Sequence, residues 1–376
     1  MGEGLEGVVA ASTKLSQVDG EGGHLTIAGY AVEDLAPHAG FEDVAYLLLH
    51  GQLPGASERA AFARQLAQHR LLPPAILGVL EDAAARSVPP MDALRMAAAL
   101  LSLGRAEHPL EDAITAIASF PTIVGSYWRM LHGDPPVPVR LDLSHAAHYL
   151  HQLFGEEPSP ERARALETYL NTVCDHGLNA STFAARVIAS TRSDLISAIT
   201  GAIGALKGPL HGGAPGPALD MVFDIGTADR AAAVIQAKLD RGERIMGFGH
   251  RVYRVRDPRA DVLAQAAERF YSNGGDRYLY DLARSVETTA LRLLRAHKPQ
   301  RRIDTNVEFY TALLLHGLGL PSELFTPTFA IGRVAGWSAH CLEQLRDGRL
   351  IRPESVYVGP TGLRYEVFGA RAAVCG

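Results

Sequence analysis

The sequence predicts a mainly α-helical protein, and three observations carry that expectation. Apolar residues recur at helical spacing along most of the chain, strand-like alternation is scarce, and Gly or Pro punctuates the helical stretches. The 376 residues can bury a large core and suggest two domains or one large one. A composition that is 47% hydrophobic and 20% charged is ordinary for a globular protein, with no long low-complexity segment.

Residues 24–32 (His-Leu-Thr-Ile-Ala-Gly-Tyr-Ala-Val) are the clearest strand-like stretch and follow a glycine-rich turn at 19–23. The next element is a helix, because Phe41, Val44, Ala45, Leu48 and Leu49 place an apolar stripe on one face, and Gly51 and Pro54 end it. Similar spacing predicts helices over 56–70, 74–86, 91–103, 110–132, 143–153, 159–175, 180–206, 228–240, 258–272, 277–297, 307–318 and 326–345. Glycine and proline crowd 208–217, where no regular element is expected and a hinge or site loop is. A second break falls at 298–306, and no internal repeat is visible.

The net charge of −5, from 41 acidic and 36 basic residues, gives no footprint for nucleic acid or an anionic membrane. Cys174, Cys341 and Cys375 are odd in number and match no zinc or redox spacing, so a reducing cytoplasm is expected. The opening Met-Gly-Glu-Gly-Leu-Glu lacks signal-peptide character, and Glu6 stands where a myristoylation motif needs Ser or Thr. The most apolar run, 195–206, is too short to span a bilayer and reads as a buried helix.

Residues 247–259, Gly-Phe-Gly-His-Arg-Val-Tyr-Arg-Val-Arg-Asp-Pro-Arg, combine permissive backbone, one imidazole and four arginines. That mixture suits an anionic small molecule undergoing proton transfer. Asp257 and Pro258 look like an N-cap and first helical residue, which puts Arg259 in the first turn. A cation there opposes the helix dipole, so an anion outside the helix is expected to want its charge. His211, among glycines and prolines, is as well placed to donate to a developing oxyanion as to face water. Thr305-Asn306-Val307-Glu308 matches a capping box, the favoured reading, while the functional one makes Glu308 a general base.

Asp175-His176 precedes Asn179, where capping is slightly ahead of a substrate-orienting histidine, and the Asn179-Ala180-Ser181 sequon is a chance match. His145, His148 and His151 could share a helix face around a metal, but no carboxylate or cysteine completes the set, so a polar helix face is expected. No metal is therefore expected. Gly247-Phe248-Gly249 lacks the third glycine and the strand of a dinucleotide fingerprint, and no Walker pattern surrounds Lys207.

Taken together these segments resemble the citrate synthase family from about Gly4 to Gly359. Gly4-Leu5-Glu6-Gly7-Val8, Asp19-Gly20, 41–54, Asp175-His176, 179–187, 208–214, 247–259, Asn306-Val307, Gly336-Trp337 and Arg352-Pro353 fall in family order. The resemblance implies an almost all-α homodimer of the short type, with a large domain (1–211 and 318–376) and a small closing domain (212–317). It implies oxaloacetate held by His176, His250, Arg259 and Arg333, with Arg352 reaching in from the partner subunit; planar guanidiniums suit a dicarboxylate. It implies that Glu308 removes a methyl proton from acetyl-CoA, His211 stabilises the enol and His250 protonates the oxaloacetate carbonyl, before hydrolysis releases citrate and CoA. The CoA site would use the main chain of Ile245, Gly247 and Gly249 with Arg254 and Arg256. The CoA thioester is a substrate, and no separate cofactor is implied.

Position 308 is commonly Asp in the family, 177 commonly Glu and 215 commonly Asn, whereas this chain has Glu308, Gly177 and Pro215. Propionyl-CoA as the substrate of a 2-methylcitrate synthase is the nearest alternative, and cleavage of citryl-CoA is a weaker one. A catalytically silent binding or regulatory paralogue is the alternative of another class, against which the retained histidines and arginines argue.

Overall fold

The computed structural model describes residues 3–5, 7–212, 215–250 and 252–365. Gly213, Ala214, Arg251 and Cys375 lie outside the described residues, as does the side chain of Pro215. Three short antiparallel strands, β1 (Ser16–Asp19), β2 (His24–Ile27) and β3 (Tyr30–Ala31), form one small sheet in that order. Helices fill most of the rest: α1 (Val32–Leu35), α2 (Phe41–His50), α3 (Ala56–Gln68), α4 (Pro74–Ala85), α5 (Pro90–Ala99), α6 (Pro109–Leu131), α7 (His145–Phe154) and α8 (Pro160–Val173). Then come α9 (Ala180–Ser190), α10 (Leu195–Leu206), α11 (Pro215–Ile225), α12 (Ala231–Asp240), α13 (Pro258–Ser272), α14 (Arg277–His297), α15 (Val307–Gly317) and α16 (Phe325–Asp347). The mainly α expectation holds.

Several boundaries differ from the periodicity, each for a local reason. The stretch at 24–32 is two strands, because Ala28 (φ 45°) and Gly29 (φ 94°) make a two-residue hairpin turn and Val32 already starts α1. The single helix expected over 180–206 is two: Arg192 takes a left-handed φ of 68°, and Asp194 then caps α10 by accepting from Ser197 N at 2.8 Å. The glycine- and proline-rich 208–217 does not stay irregular to its end, since α11 begins at Pro215, where a first-turn proline loses no hydrogen bond.

The three histidines of α7 are not a polar face. They are buried, His145 stacks on Phe41 with ring centroids 4.4 Å apart, and His148 Nε2 meets Thr122 Oγ1 at 3.0 Å. Burial pushes the His148 imidazole down to about 3 and His145 well below its usual value, with Arg70 adding to both, so these rings pack as neutral aromatics. Among the described residues no group of acids, histidines and cysteines could hold a metal, and no helix is long and apolar enough to cross a membrane. Cys174 and Cys341 are buried, unpaired thiols.

The core centres on α16, buried along nearly all its length against α2, α6, α8, α9 and α10. Glycine makes its close approach possible: a Cβ at Gly332 would stand 2.9 Å from Leu170 O, and one at Gly336 would collide with Cys174 O. The second collision holds the chain at 174–175 tight against α16, just before His176. Gly336→Ala is therefore expected to cost about 1–3 kcal/mol, the usual penalty of overpacking a core. Urea denaturation of the pure variant checks this, and an unchanged midpoint counts against the packing described.

Candidate active site

One cleft gathers side chains from six places along the chain. His176 comes from the α8–α9 loop, His211 from the turn after α10, His250 from the loop before α13, and Arg259 from the first turn of α13. Glu308 opens α15 and Arg333 lies within α16. The rings of His176 and His250 are 6.1 Å apart, and Tyr253 packs against both, its ring 5.7 Å from the first and 4.9 Å from the second and its hydroxyl 3.1 Å from His176 Nε2. Burial first, then Arg259, Arg333 and His250, pushes His176 well below its ordinary value, so its ring is neutral.

The hydrogen bonds of His250 settle its tautomer. Nδ1 accepts from the backbone N–H groups of Val252 and Tyr253, each at 3.0 Å, so the proton of the neutral ring is on Nε2. Nη2 of Arg259, 3.4 Å from Nε2, can only donate as well. Two donors thus lie side by side with no acceptor between them, a geometry that an anionic or carbonyl oxygen completes. Burial, then Arg259, holds the His250 imidazole down at about 4.

His211 is fixed by a different set. The Ser181 N–H, shared with Asn179 Oδ1 at 3.2 Å, donates to His211 Nε2 at 3.3 Å, and the Ser181 hydroxyl is 2.7 Å from the same nitrogen. Trp337 Nε1 donates to that hydroxyl oxygen at 3.1 Å. With Nε2 an acceptor, the neutral ring carries its proton on Nδ1, and burial followed by Arg333 lowers the imidazole to about 4. A loop histidine in water would show none of this.

The two buried arginines are satisfied unequally. Arg259 already has an anion: its Nε and Nη2 meet the two oxygens of Asp257 at 3.0 and 2.8 Å, while Asp257 also caps α13 by accepting from Arg259 N at 3.0 Å. The anion that meets its charge in the structure is the cap residue Asp257, at the helix start. Arg333, 1% exposed, makes one hydrogen bond, from Nε to Val173 O at 2.6 Å, and stacks over Phe329. Its terminal nitrogens have no protein acceptor among the described residues, and burial pulls the group down to about 10 despite Asp175 nearby. A buried guanidinium left this way is suited to an anion.

Glu308 is half-buried at the start of α15. Asn306, not Thr305, caps that helix, accepting from Glu308 N at 3.0 Å, while the Thr305 hydroxyl donates to Glu287 at 2.7 Å. The capping box is therefore not formed, and the Glu308 carboxyl is left for the cleft. Burial raises its pKa, partly countered by Arg259. Residues 247–249 pair with 304–306: Asn306 N donates to Gly247 O at 3.0 Å, Gly249 N to Asp304 O at 2.8 Å, and Asn306 Nδ2 to Gly249 O at 2.8 Å. Gly247, at φ 84°, packs so closely on Phe309 that a Cβ would come within 2.9 Å of its ring. This junction ties the His250 loop to the helix bearing Glu308.

Of the remaining candidates, Ile245 is buried, Arg254 is exposed with its N–H on Gly20 O at 2.8 Å, and Arg256 is bound to Asp261, Glu287 and Asp304. Arg352 stands apart from the cleft, exposed along a groove of about 650 Å³ that residues 10–14 also line. Sequence reasoning missed the roles of Ser181, Trp337 and Tyr253, and the pairing of Asp257 with Arg259. Only the last had a local signal, two residues apart in sequence.

The family model described as Citrate synthase, C-terminal domain, matches residues 4–354. The citrate synthase of Haloferax volcanii is 41% identical over 373 residues, covering 96% of this chain and 97% of that protein. A 2-methylcitrate synthase of Shewanella oneidensis is 40% identical over 363 residues, 95% of each. The crystal structure of citrate synthase from Pyrobaculum aerophilum shares the fold with a TM-score of 0.89 at 38% identity, covering 98% of this chain and 95% of that one.

Both cleft histidines with folded values near 4 are expected to stay neutral at pH 6, where a free imidazole with the ordinary 6.5 would be largely protonated. Because the folded values lie below the unfolded one, each ring's contribution to stability is complete above about pH 6.5 and is lost as pH falls toward 4. Nitrogen-15 NMR of labelled histidine reads this directly. A His250 signal titrating near 6.5, or protonated at Nδ1, refutes the arrangement.

Proposed function

The chain belongs to the citrate synthase family, and on that premise we propose that it condenses acetyl-CoA with oxaloacetate and water to give citrate and CoA. One observation carries the reading: the cleft brings a carboxyl raised by burial, two neutral imidazoles with assigned donor nitrogens, and two buried guanidiniums to one place. Arg259 and Arg333 bind the carboxylates of oxaloacetate, with His176 alongside. The Glu308 carboxylate takes a proton from the acetyl methyl while Nδ1–H of His211 donates to the thioester oxygen. The resulting enol carbon bonds to the ketone carbon of oxaloacetate, whose oxygen takes the Nε2 proton of His250. Water then cleaves the citryl thioester, releasing CoA.

The low imidazole values make both histidines neutral donors, weak acids suited to an enol, in the manner of a neutral catalytic histidine elsewhere. After His250 gives up its proton, two backbone N–H groups on Nδ1 and the neighbouring Arg259 stabilise the ring's negative charge. Glu308 replaces a shorter acid, and the junction at 247–249 and 304–306 fixes the helix start from which it reaches. For CoA, exposed Arg254 and the main chain near Ile245, Gly247 and Gly249 are the contacts, together with Arg256, whose charge is already met by Asp261, Glu287 and Asp304. Residues 212–317 act as the closing domain over 1–211 and 318–376.

The working unit is a homodimer in the cytoplasm. Residues 350–365 run without helix or strand, and Leu350, Val356, Tyr357, Val358, Leu363 and Tyr365 expose apolar surface that a second copy would cover. This arm carries Arg352 to the partner's oxaloacetate. The buried, unpaired thiols of Cys174 and Cys341 suit a reducing compartment. A second reading, condensation of propionyl-CoA to 2-methylcitrate, is favoured by the Shewanella oneidensis relative, and one methylene changes binding by only about 1–3 kcal/mol.

Release of the CoA thiol from acetyl-CoA and propionyl-CoA, followed in parallel with oxaloacetate, tests the reading; no turnover with either sinks it and leaves a binding paralogue. Glu308→Gln should lower kcat by roughly 10²–10⁴ while oxaloacetate still binds. Since the base works deprotonated and its pKa is raised, activity should fail on the acid side at a pH above the 4.5 of an ordinary glutamate. An acid limb at or below that value removes Glu308 from the role.

A further inference from the structure

One buried polar chain lies outside the chemistry just described. Asp175, fully buried, precedes His176; its Oδ2 accepts from the Ser16 hydroxyl in a short hydrogen bond, and His340 Nε2 stands 3.2 and 3.3 Å from its two oxygens. The same Ser16 oxygen accepts from Gly177 N at 2.8 Å, so the residues on both sides of His176 are tied to one hydroxyl. On the far side of His340, Nδ1 lies 2.8 Å from Nη1 of Arg186. A guanidinium can only donate, which makes Nδ1 the acceptor and puts the His340 proton on Nε2, facing Asp175.

Arg186 in turn donates to Glu343 Oε2 at 2.7 Å and, through Nε, to Gln344 Oε1 at 3.0 Å. Glu343 accepts from Lys14 N at 2.9 Å, and Gln344 donates to Arg349 O at 2.8 Å. The chain therefore runs from the loop carrying His176, across α16 and α9, to the segment that leads to Arg352. Asp175 is also the strongest influence favouring the charge of Arg333, whose terminal nitrogens have no protein acceptor among the described residues.

We propose that His340 is a positioning residue for the oxaloacetate site: by donating to Asp175 and accepting from Arg186 it sets the place of His176 and keeps the counter-charge of Arg333 fixed. This rests on the citrate synthase reading above. His340 touches no substrate, and its effect falls on the dicarboxylate side of the cleft, whereas the thioester side is held separately through Trp337, Ser181 and His211.

Two substitutions test it. His340→Gln preserves both roles, since the amide N–H₂ donates to Asp175 and the amide oxygen accepts from Arg186; His340→Leu removes both. The full-length His340→Leu protein is expected to raise KM and the calorimetric Kd for oxaloacetate by about tenfold to a hundredfold, the loss typical of a hydrogen bond to a charged group, with KM for acetyl-CoA within about twofold. His340→Gln should bring oxaloacetate back within about threefold of the parent. A merely structural role would lower the melting temperature and the active fraction but leave both constants of the folded protein unmoved, and that result overturns the proposal. If His340→Leu does not fold, Ser16→Ala, which unties Asp175 and Gly177 at a half-buried position, must move the oxaloacetate constants in the same direction; an unmoved constant there also overturns it. An unsubstituted protein that neither turns over nor binds oxaloacetate would instead defeat the functional reading itself.

Discussion

Burying two guanidiniums beside one cleft is the constraint on which the rest of this structure depends. Each must be neutralised or left waiting for an anion, and the two take different solutions. Arg259 receives a bidentate carboxylate from its own helix cap, Asp257, while the terminal nitrogens of Arg333 have no protein acceptor among the described residues and Asp175 is the main group favouring its charge. Burial first, and then Arg259 and Arg333 on His176, Arg333 on His211 and Arg259 on His250, suppresses protonation of the three rings. The neutral imidazoles are thus a consequence first of their burial and then of the arginines beside them.

α16 is the beam that places these charges. Arg333, Gly336, His340 and Glu343 recur at intervals of three or four along it, with Trp337 next to Gly336, and so share one side of the helix. Each meets a different part of the site: Arg333 the cleft itself, Gly336 the backbone before His176, Trp337 the serine that orients His211, and His340 and Glu343 the buried ionic chain. A hydrophobic helix running through a core ordinarily contributes only packing. Here its polar side residues also align groups from segments more than a hundred residues apart in sequence.

The other organising contact is the pairing of 247–249 with 304–306. It joins the loop that ends in His250 to the start of the helix that carries Glu308, so these two side chains are held relative to each other by shared hydrogen bonds. Glu287 reinforces the joint from below, accepting from Thr305 and Tyr310 and pairing with Arg256. Thr305 serves that hub instead of capping α15, which is why the carboxyl of Glu308 remains available.

Much was legible without coordinates. Helical periodicity marked the elements, because an amphipathic stripe is a local property; the cap and proline before Arg259 marked the start of α13 for the same reason. The family motifs named the histidines and arginines of the cleft. What local pattern could not decide was partnership. Nothing near His145 or His148 in sequence shows that they are buried, nothing near Thr305 shows that Glu287 will claim its hydroxyl, and nothing near Ser181 shows that His211 and Trp337 converge on it. The sequence by itself determined the helices, the absence of a nucleic-acid charge pattern and the chemical groups at hand. Only the tertiary structure decided which nitrogen of each imidazole carries the proton and which arginine is left waiting for an anion, because tautomer and charge balance depend on groups brought together from distant parts of the chain.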